Sequence, residues 1–376
     1  MNGRTGELRA LTGARGIAAW LVMLYHIRLS IAGLPAPAVL ALGKGYLAVD
    51  FFFLLSGFVI WLAWHERLRP GPGGGGSGAA RRFWIRRIAR VWPLHLAMLG
   101  SAIVLALALA ATGRDGGGRF PAAELPLHLL LVQDWGFTDR LSWNDPAWSI
   151  SAEWAAYLLF PPLVAMLDWR RLPTPAILAA LAALFVLLHG LFARHGATSL
   201  GYDIARMGLA RCFVEFAAGT ATCALWMRWR DRLVVPAILA ACCATGAIAA
   251  TAAGLLPETL AVPFALATLL LTLALTSGLP GNPLAGRWLH LLGEISFATY
   301  LSHFLLFFVF KLAVVDDARA IPPLLVAMYL VVVLMASWSL HHLVERPARR
   351  WVEELPGRLP AWPGRAGRRR SVVPRG

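Results

Sequence analysis

The sequence predicts an all-α membrane protein, a polytopic helical bundle of about ten transmembrane helices. Of its 376 residues, 58% are hydrophobic and only 15% are charged, whereas soluble domains carry about 25% charged residues. The apolar residues fall in continuous blocks of roughly 20, the length that crosses a bilayer as an α-helix. These blocks lack the alternating pattern of outer-membrane β-strands. The sequence therefore favours a helical bundle over a barrel.

Ten apolar blocks are predicted to span the membrane. In chain order they cover residues 14–33, 46–64, 88–112, 146–167, 175–193, 207–227, 234–254, 259–278, 290–313 and 321–344. A shorter apolar segment, 121–135, is predicted to be re-entrant or interfacial because it is too short to span comfortably. Residues 1–350 are predicted to form one transmembrane domain, and residues 351–376 a disordered basic cytoplasmic tail.

The net charge of +15 does not indicate a nucleic-acid partner, because most Lys and Arg residues fall in alternate loops and in the tails. With the N-terminus in the cytoplasm, these loops obey the positive-inside rule, which also predicts a cytoplasmic C-terminus. The four cysteines all lie inside predicted spans. They have no metal-ligand spacing, so no metal site is predicted.

Ionisable side chains at bilayer depth cost a few kcal/mol and are functional candidates by default. Five such residues stand out: His26, Asp50, Glu153, Glu215 and His303. Arg15 precedes His26 by three helical turns plus about 20°, so the two share one helix face about 16 Å apart along the axis. His303 is predicted to lie at a similar depth. The alternative is an anchoring arginine and histidines that bond to neighbouring helices.

The buried acids have several possible roles. Asp50 or Glu153 can orient a histidine, fix its tautomer, or bind a sugar hydroxyl. Asp50 can instead cap the start of its own helix. Glu215 follows Arg211 by four residues, a spacing that predicts a structural ion pair within one helix.

A basic stripe precedes the third predicted span. Arg82, Arg86 and Arg90 recur every fourth residue, and Arg87 lies beside them. Guanidinium groups bind phosphates well through paired hydrogen bonds. The alternative is topological, because cytoplasmic loops are rich in arginine.

Several of these features recur together in ordered motifs. The motifs are "RGIAAWLVMLYH" with Arg15 and His26, "GYLAVDFFFLLSGFVI" with Asp50, "RRFWIRRIARVWP", "WSISAEWAAYLLFP" with Trp148, Ser149 and Glu153, "LGEISFATYLSHF" with Tyr300 and His303, and "HHLVERP". In this order, the set resembles the acyltransferase-3 family of membrane-bound O-acyltransferases. The resemblance covers about residues 8–350.

The resemblance implies an enzyme of the bacterial inner membrane with an acyl-CoA donor, usually acetyl-CoA, on the cytoplasmic side and no metal. It implies a hydroxyl acceptor on a cell-surface polysaccharide or a lipid-linked glycan. The residues implied to hold the donor phosphates are Arg15, Arg82, Arg86, Arg87 and Arg90. Those implied to bind substrate are Trp148, Ser149 and Tyr300.

Our hypothesis for the chemistry is that His26 acts as general base on the acceptor hydroxyl. Asp50 or Glu153 would orient the histidine or the sugar, and His303 or an arginine would stabilise the oxyanion. A covalent acyl-histidine stays open. Other acceptors are a macrolide, a lipid or a small glycoside. A transporter of sugar-lipid intermediates, with the buried groups as a proton path, is the alternative from another class.

Overall fold

The computed structural model describes residues 8–69, 76–114, 116–232 and 234–358. Within these residues there is no β-strand, only an isolated bridge between Ile31 and Ile321. The α-helices, in chain order, are α1 (Arg9–Ile27), α2 (Ala36–Gly43), α3 (Ala48–Leu68), α4 (Gly76–Ala111), α5 (Leu125–Leu130), α6 (Ala147–Met166), α7 (Thr174–Ala193), α8 (Ile204–Trp229), α9 (Val234–Ala252), α10 (Glu258–Thr276), α11 (Arg287–Glu294), α12 (Ser296–Val314), α13 (Pro323–Leu340) and α14 (Arg346–Arg358). The predicted all-α fold is confirmed.

Nine stretches of the described chain are long and apolar enough to cross a membrane. They are Arg9–Ser30, Ala36–Leu68, Gly78–Ala111, Ala147–Arg171, Thr174–Ala193, Val234–Ala252, Glu258–Thr276, Ser296–Val314 and Pro323–Val352. Each overlaps one predicted span. The remaining prediction, 207–227, corresponds to α8, a helix of 26 residues. Arg211 and Glu215 lower its mean hydropathy, but most of its residues are buried among α3, α6, α7 and α10.

Helices α3 and α8 pack backbone against backbone. A Cβ atom at Gly57 would lie 2.0 Å from the carbonyl oxygen of Phe216, and one at Gly219 would lie 2.0 Å from that of Leu54. Only glycine allows this separation, and small residues commonly bring membrane helices together in this way. The contact holds α3 against the central helix of the bundle.

The predicted ninth span, 290–313, is not one continuous helix. Helix α11 ends at Glu294 and α12 begins at Ser296. α11 instead packs tightly on the first turns of α1, where a Cβ at Gly293 would lie 1.9 Å from the carbonyl oxygen of Thr12. The break therefore brings the Gly293 carbonyl to the beginning of α1, where the side chain of Arg15 binds it.

The segment predicted to be re-entrant or interfacial, 121–135, folds as a 3₁₀ turn, Ala122–Glu124, followed by α5. Its α-helix is too short to span a bilayer. Leu131, with φ of 56°, ends the helix in the left-handed conformation. Nε2 of His95 donates to the carbonyl of His128 at 2.8 Å, which ties the segment to α4. Its depth in the bilayer stays a prediction.

The final predicted span continues into a π-helical turn, His341–Glu345, and then into α14. The predicted domain boundary at residue 350 lies inside α14. The part of the predicted tail beyond residue 358 lies outside the described residues. The cytoplasmic location of both termini stays a prediction.

Replacing Gly57 with alanine is expected to lower the free energy of unfolding by about 1–3 kcal/mol, because the added methyl group must displace backbone atoms. Thermal unfolding in detergent measures the change. The matched control is Gly246→Ala on α9, where nothing lies within 4 Å of the added Cβ. The control is expected to keep or slightly raise the melting temperature. Equal effects of the two substitutions would contradict the close α3–α8 contact.

Candidate active site

The structure brings the two predicted midplane histidines together. His26 lies near the end of α1 and His303 in the middle of α12, and Nε2 of His303 is 3.2 Å from Nδ1 of His26. His303 is fully buried, whereas His26 is partly exposed. The hydroxyl of Tyr329 donates to the His303 carbonyl at 2.8 Å and fixes this part of α12. We call His26 and His303 the histidine pair.

Backbone carbonyls assign the tautomer of each ring. Nδ1 of His26 lies 2.8 Å from the Val22 carbonyl, and Nδ1 of His303 lies 3.1 Å from the Thr299 carbonyl. A carbonyl oxygen only accepts, so both Nδ1 atoms carry hydrogen in the neutral rings. The single Nδ1 hydrogen of His26 is then shared between the Val22 carbonyl at 2.8 Å and Nε2 of His303 at 3.2 Å. Nε2 of His26 is left as the unprotonated, basic nitrogen.

An arginine-lined cavity lies alongside the beginning of α12, where Ser296, Phe297 and Tyr300 line it. It has a volume of about 160 Å³ and contains the side chains of Arg15, Arg87, Arg90 and Glu153. We call it the arginine cavity. Its other polar lining residues are Ser56, Ser149, Tyr157, Ser296 and Tyr300. A groove beside it, lined by Glu66 and Arg67 among others, shares Arg15, Leu55 and Val59 with it.

Different partners hold the three arginines. Arg15 donates to the Gly293 carbonyl at 2.5 Å and to the Ser296 hydroxyl at 3.2 Å, both at the break between α11 and α12. Arg90 pairs with Glu345 of the π-helical turn. Among the described residues, Nε of Arg87 is buried without a hydrogen-bond partner. An anion in the cavity can supply that partner.

The predicted basic stripe divides into two groups. Arg87 and Arg90, three residues apart, face the arginine cavity, whereas Arg82 and Arg86 are exposed and do not line it. At about 100° per residue, Arg86, Arg90 and Arg87 lie about 40°, 80° and 140° around α4 from Arg82, so the two cavity residues are those rotated farthest from Arg82. The guanidinium of Arg86 lies 5.5 Å from the Trp64 ring centroid.

Tyr300 separates the arginine cavity from the histidine pair. It lines the cavity, and its ring centroid lies 6.2 Å from that of His303. Its hydroxyl lies 2.7 Å from the Ser149 hydroxyl, which bonds the Pro146 carbonyl at 3.1 Å. Neither histidine lines the cavity. The cavity therefore ends close to the histidine pair without including it.

The structure does not bring Asp50 to the histidine pair. Asp50 is fully buried and forms a two-pronged ion pair with Arg211 of α8. The predicted pairing of Arg211 with Glu215 is therefore wrong, because Asp50 occupies the guanidinium from another helix. Asp50 also forms no cap at the beginning of α3. Glu153 lies in the arginine cavity, away from the position that would orient His26.

Sequence reasoning missed a second ion pair, which lies near the exposed edge of His26. Phe304 packs edge-on against His26 with ring centroids 5.5 Å apart, and the Arg119 guanidinium lies 5.2 Å from the Phe304 centroid. Arg119 donates to Asp145 at 3.1 Å. Burial raises the pKa of Asp145, while Arg119 opposes that rise. The only sequence signal for this ion pair was that Asp145 precedes Pro146, directly before α6 begins.

Comparison with known proteins now adds the family. A family model described as an acyltransferase domain matches residues 8–342. The chain belongs to the acyltransferase-3 family. It is thus an acyltransferase that transfers groups other than amino-acyl groups, and the transporter interpretation is not retained. Its apolar helices agree with a multi-pass membrane protein.

Three relatives are similar over different shares of their length. Acyltransferase MdmB of Streptomyces mycarofaciens is 32% identical over 332 residues, 80% of this chain and 79% of the relative. YrhL of Bacillus subtilis (strain 168), named as a candidate peptidoglycan O-acetyltransferase, is 27% identical over 47% of this chain and 26% of its own length. Protein 2 in the picA locus of Rhizobium radiobacter is 38% identical over 27% of this chain and 42% of its own length. No solved structure gives a significant match.

Asp50→Ala is expected to lower the free energy of unfolding by about 3–5 kcal/mol, since it leaves Arg211 buried and unpaired. Thermal unfolding and the yield of monodisperse protein in detergent measure the loss. The double variant Asp50→Leu with Arg211→Met removes both charges and is expected to recover most of the stability. A stable Asp50→Ala protein without activity would instead indicate a chemical role for Asp50.

Proposed function

We propose that this protein transfers an acyl group, acetyl in the first instance, from acyl-CoA to a hydroxyl of a cell-surface polysaccharide or lipid-linked glycan. The observation that carries the proposal is the histidine pair, which presents a basic nitrogen at the exposed edge of His26. The family supports the reaction class. The name of the Bacillus subtilis relative supports a polysaccharide acceptor.

The arginine cavity is the proposed site of the acyl donor. Guanidinium groups bind phosphates well, and Nε of Arg87 is a buried donor without a hydrogen-bond partner among the described residues. The groove near Arg67 and the cavity share lining residues, which supports one continuous path for the donor. The thioester is expected at the Tyr300 end. The positive-inside rule makes the arginine end cytoplasmic, in keeping with a bacterial inner membrane.

His26 is the proposed general base. Its Nε2 takes the proton of the acceptor hydroxyl while that oxygen bonds to the acyl carbon. The carbon–sulfur bond then breaks, and the departing sulfur takes the proton from the imidazolium. The products are an ester and free CoA thiol. A macrolide, a lipid or a small glycoside would be acylated in the same way.

His303 is the proposed orienting group. Its Nε2 accepts from Nδ1 of His26, so it holds the ring in the tautomer that keeps the basic nitrogen outward. This is the role that a carboxylate has in a catalytic triad. It replaces the hypothesis that Asp50 or Glu153 orients His26. A neutral His303 in this tautomer has no hydrogen left for an oxyanion.

His26→Ala is expected to lower the turnover number for acyl transfer by about 10²–10⁴, the usual contribution of a general base. Release of CoA from acetyl-CoA, followed with a thiol reagent in the presence of acceptor, measures it. The KM for acetyl-CoA is expected to stay within about twofold, since His26 does not line the arginine cavity.

The matched control is His189→Ala, because His189 lies on α7 and bonds Thr259 away from the site. It should retain full activity. Full transfer by a folded His26→Ala protein would overturn the proposed base. Mass spectrometry of protein incubated with acetyl-CoA alone separates the covalent alternative, since a general base leaves the His26 peptide unmodified.

Arg87→Ala is expected to raise the KM for acetyl-CoA by about tenfold or more, the effect of one lost charged hydrogen bond. The neighbouring Arg86→Ala is the control, because the same change occurs on an exposed side chain outside the cavity. Steady-state kinetics over a range of acetyl-CoA concentrations measures both. An equal rise in both variants would indicate general attraction by surface charge instead of a phosphate site in the cavity.

A further inference from the structure

A small polar pocket lies between the loop 131–145 and the first turn of α6. Its volume is about 10 Å³, close to the space that one water or one hydroxyl group needs. Its lining is polar apart from Leu141 and the Trp148 ring. The lining residues are His128, Gln133, Asp134, Thr138, Arg140, Leu141, Ser142, Asn144, Asp145 and Trp148. We call it the polar pocket.

Several buried oxygen atoms in this pocket have no partner in the described part of the chain. They are Oε1 of Gln133, both carboxyl oxygens of Asp134 and Oδ1 of Asn144. These three side chains are at most 5% exposed. Buried polar atoms without partners are rare in proteins, and each points to a water or a ligand that supplies the missing hydrogen bond.

Backbone bonds fix which end of each amide faces the pocket. The amide nitrogen of Gln133 donates to the Ala147 carbonyl at 3.2 Å, and that of Asn144 donates to the Leu301 carbonyl at 2.8 Å. Carbonyl groups only accept, so neither amide can be reversed. The pocket is therefore a cluster of hydrogen-bond acceptors, and its occupant must supply donors.

The neighbouring helix is shaped to admit this cluster. A Cβ atom at Gly208 would lie 2.6 Å from a carboxyl oxygen of Asp134 and 2.9 Å from the Trp148 ring. Glycine at this position of α8 leaves room for both side chains. Burial raises the pKa of Asp134 well above its usual value. A protonated carboxyl group both donates and accepts, which suits a hydroxyl partner.

Two connections join the polar pocket to the histidine pair. Asn144 is bonded to the backbone of α12 at Leu301, two residues before His303. Asp145 pairs with Arg119, which lies over the Phe304 ring beside His26. The pocket is thus connected to the histidine pair, and it shares no lining residue with the arginine cavity.

We infer that the polar pocket binds a second hydroxyl group of the acceptor, one that stays unreacted, and that this contact selects the acceptor and orients the hydroxyl that reacts. This inference rests on the proposed function. A sugar supplies several hydroxyl donors on one rigid ring. An alcohol with a single hydroxyl cannot fill the pocket and react at once.

The test compares two kinds of acceptor with purified protein and acetyl-CoA. One kind is a set of methyl glycosides of glucose, mannose and N-acetylglucosamine, and the other is octanol. The variant Asp134→Leu keeps the branched shape of the side chain, removes both pocket oxygens and breaks no side-chain hydrogen bond within the described protein. The matched control is Asp139→Leu, the same change on an aspartate that is 88% exposed on the same loop and pairs with Arg206.

Wild type is expected to prefer its best glycoside over octanol in kcat/KM. Asp134→Leu is expected to raise the KM for that glycoside by about tenfold, with unchanged KM for acetyl-CoA and unchanged transfer to octanol. Asp139→Leu should match wild type. Gln133→Met, which removes another pocket oxygen, gives a second test if Asp134→Leu does not fold.

Two results would overturn the inference. One is a wild-type protein that acylates octanol at least as well as every glycoside. The other is a folded Asp134→Leu protein that leaves the KM for the glycoside unchanged or changes transfer to both acceptors equally, which would mean that the pocket holds an ordered water only. Absence of CoA release with every acceptor would instead count against the proposed function itself.

Discussion

A polar atom inside the hydrocarbon layer has no water to bond, so its partner must come from the protein or from a ligand. This constraint accounts for the helices, in which backbone groups bond one another, and for the ion pair of Asp50 with Arg211 at the centre of the bundle. It also explains why both histidines bond backbone carbonyls one turn earlier in their own helices. The bonds that satisfy the rings also select their tautomers.

Some exceptions to this constraint among the described residues lie at the places where a ligand is expected, and others, such as Nε1 of Trp61, lie in the apolar core. Nε of Arg87 has no partner among the described residues, and it belongs to a side chain of the arginine cavity. The oxygens of Gln133, Asp134 and Asn144 lack partners in the polar pocket. The Arg87 nitrogen can donate to an anion, and the oxygens of the polar pocket can accept from hydrogen-bond donors. The two substrates of an acyl transfer, a phosphorylated thioester and a hydroxyl compound, have these same opposite requirements.

Tyr300 and the histidine pair lie between the two sides. A thioester that approached through the arginine cavity would meet Tyr300 first, whereas a hydroxyl compound would meet the exposed edge of His26. Under the proposed function, such an arrangement would let the acyl donor and the acceptor reach the histidine pair by separate routes. The break between α11 and α12 contributes directly, because the Gly293 carbonyl at that break binds Arg15.

The sequence by itself determined the helical membrane fold, the approximate spans and the buried ionisable residues, because apolar length and the cost of charge in hydrocarbon are local properties. The motif order also determined the family. Tertiary structure alone decided the partners. Arg211 pairs with Asp50 of another helix, although Glu215 is nearer in sequence. Arg87 lines a cavity, whereas its neighbour Arg86 does not. Gln133 and Asn144 line one pocket. Which side chains meet depends on how each helix is rotated and on how closely two helices approach, as Gly57 of α3 approaches α8. The residue pattern of a single helix gives neither its rotation in the bundle nor its distance from another helix.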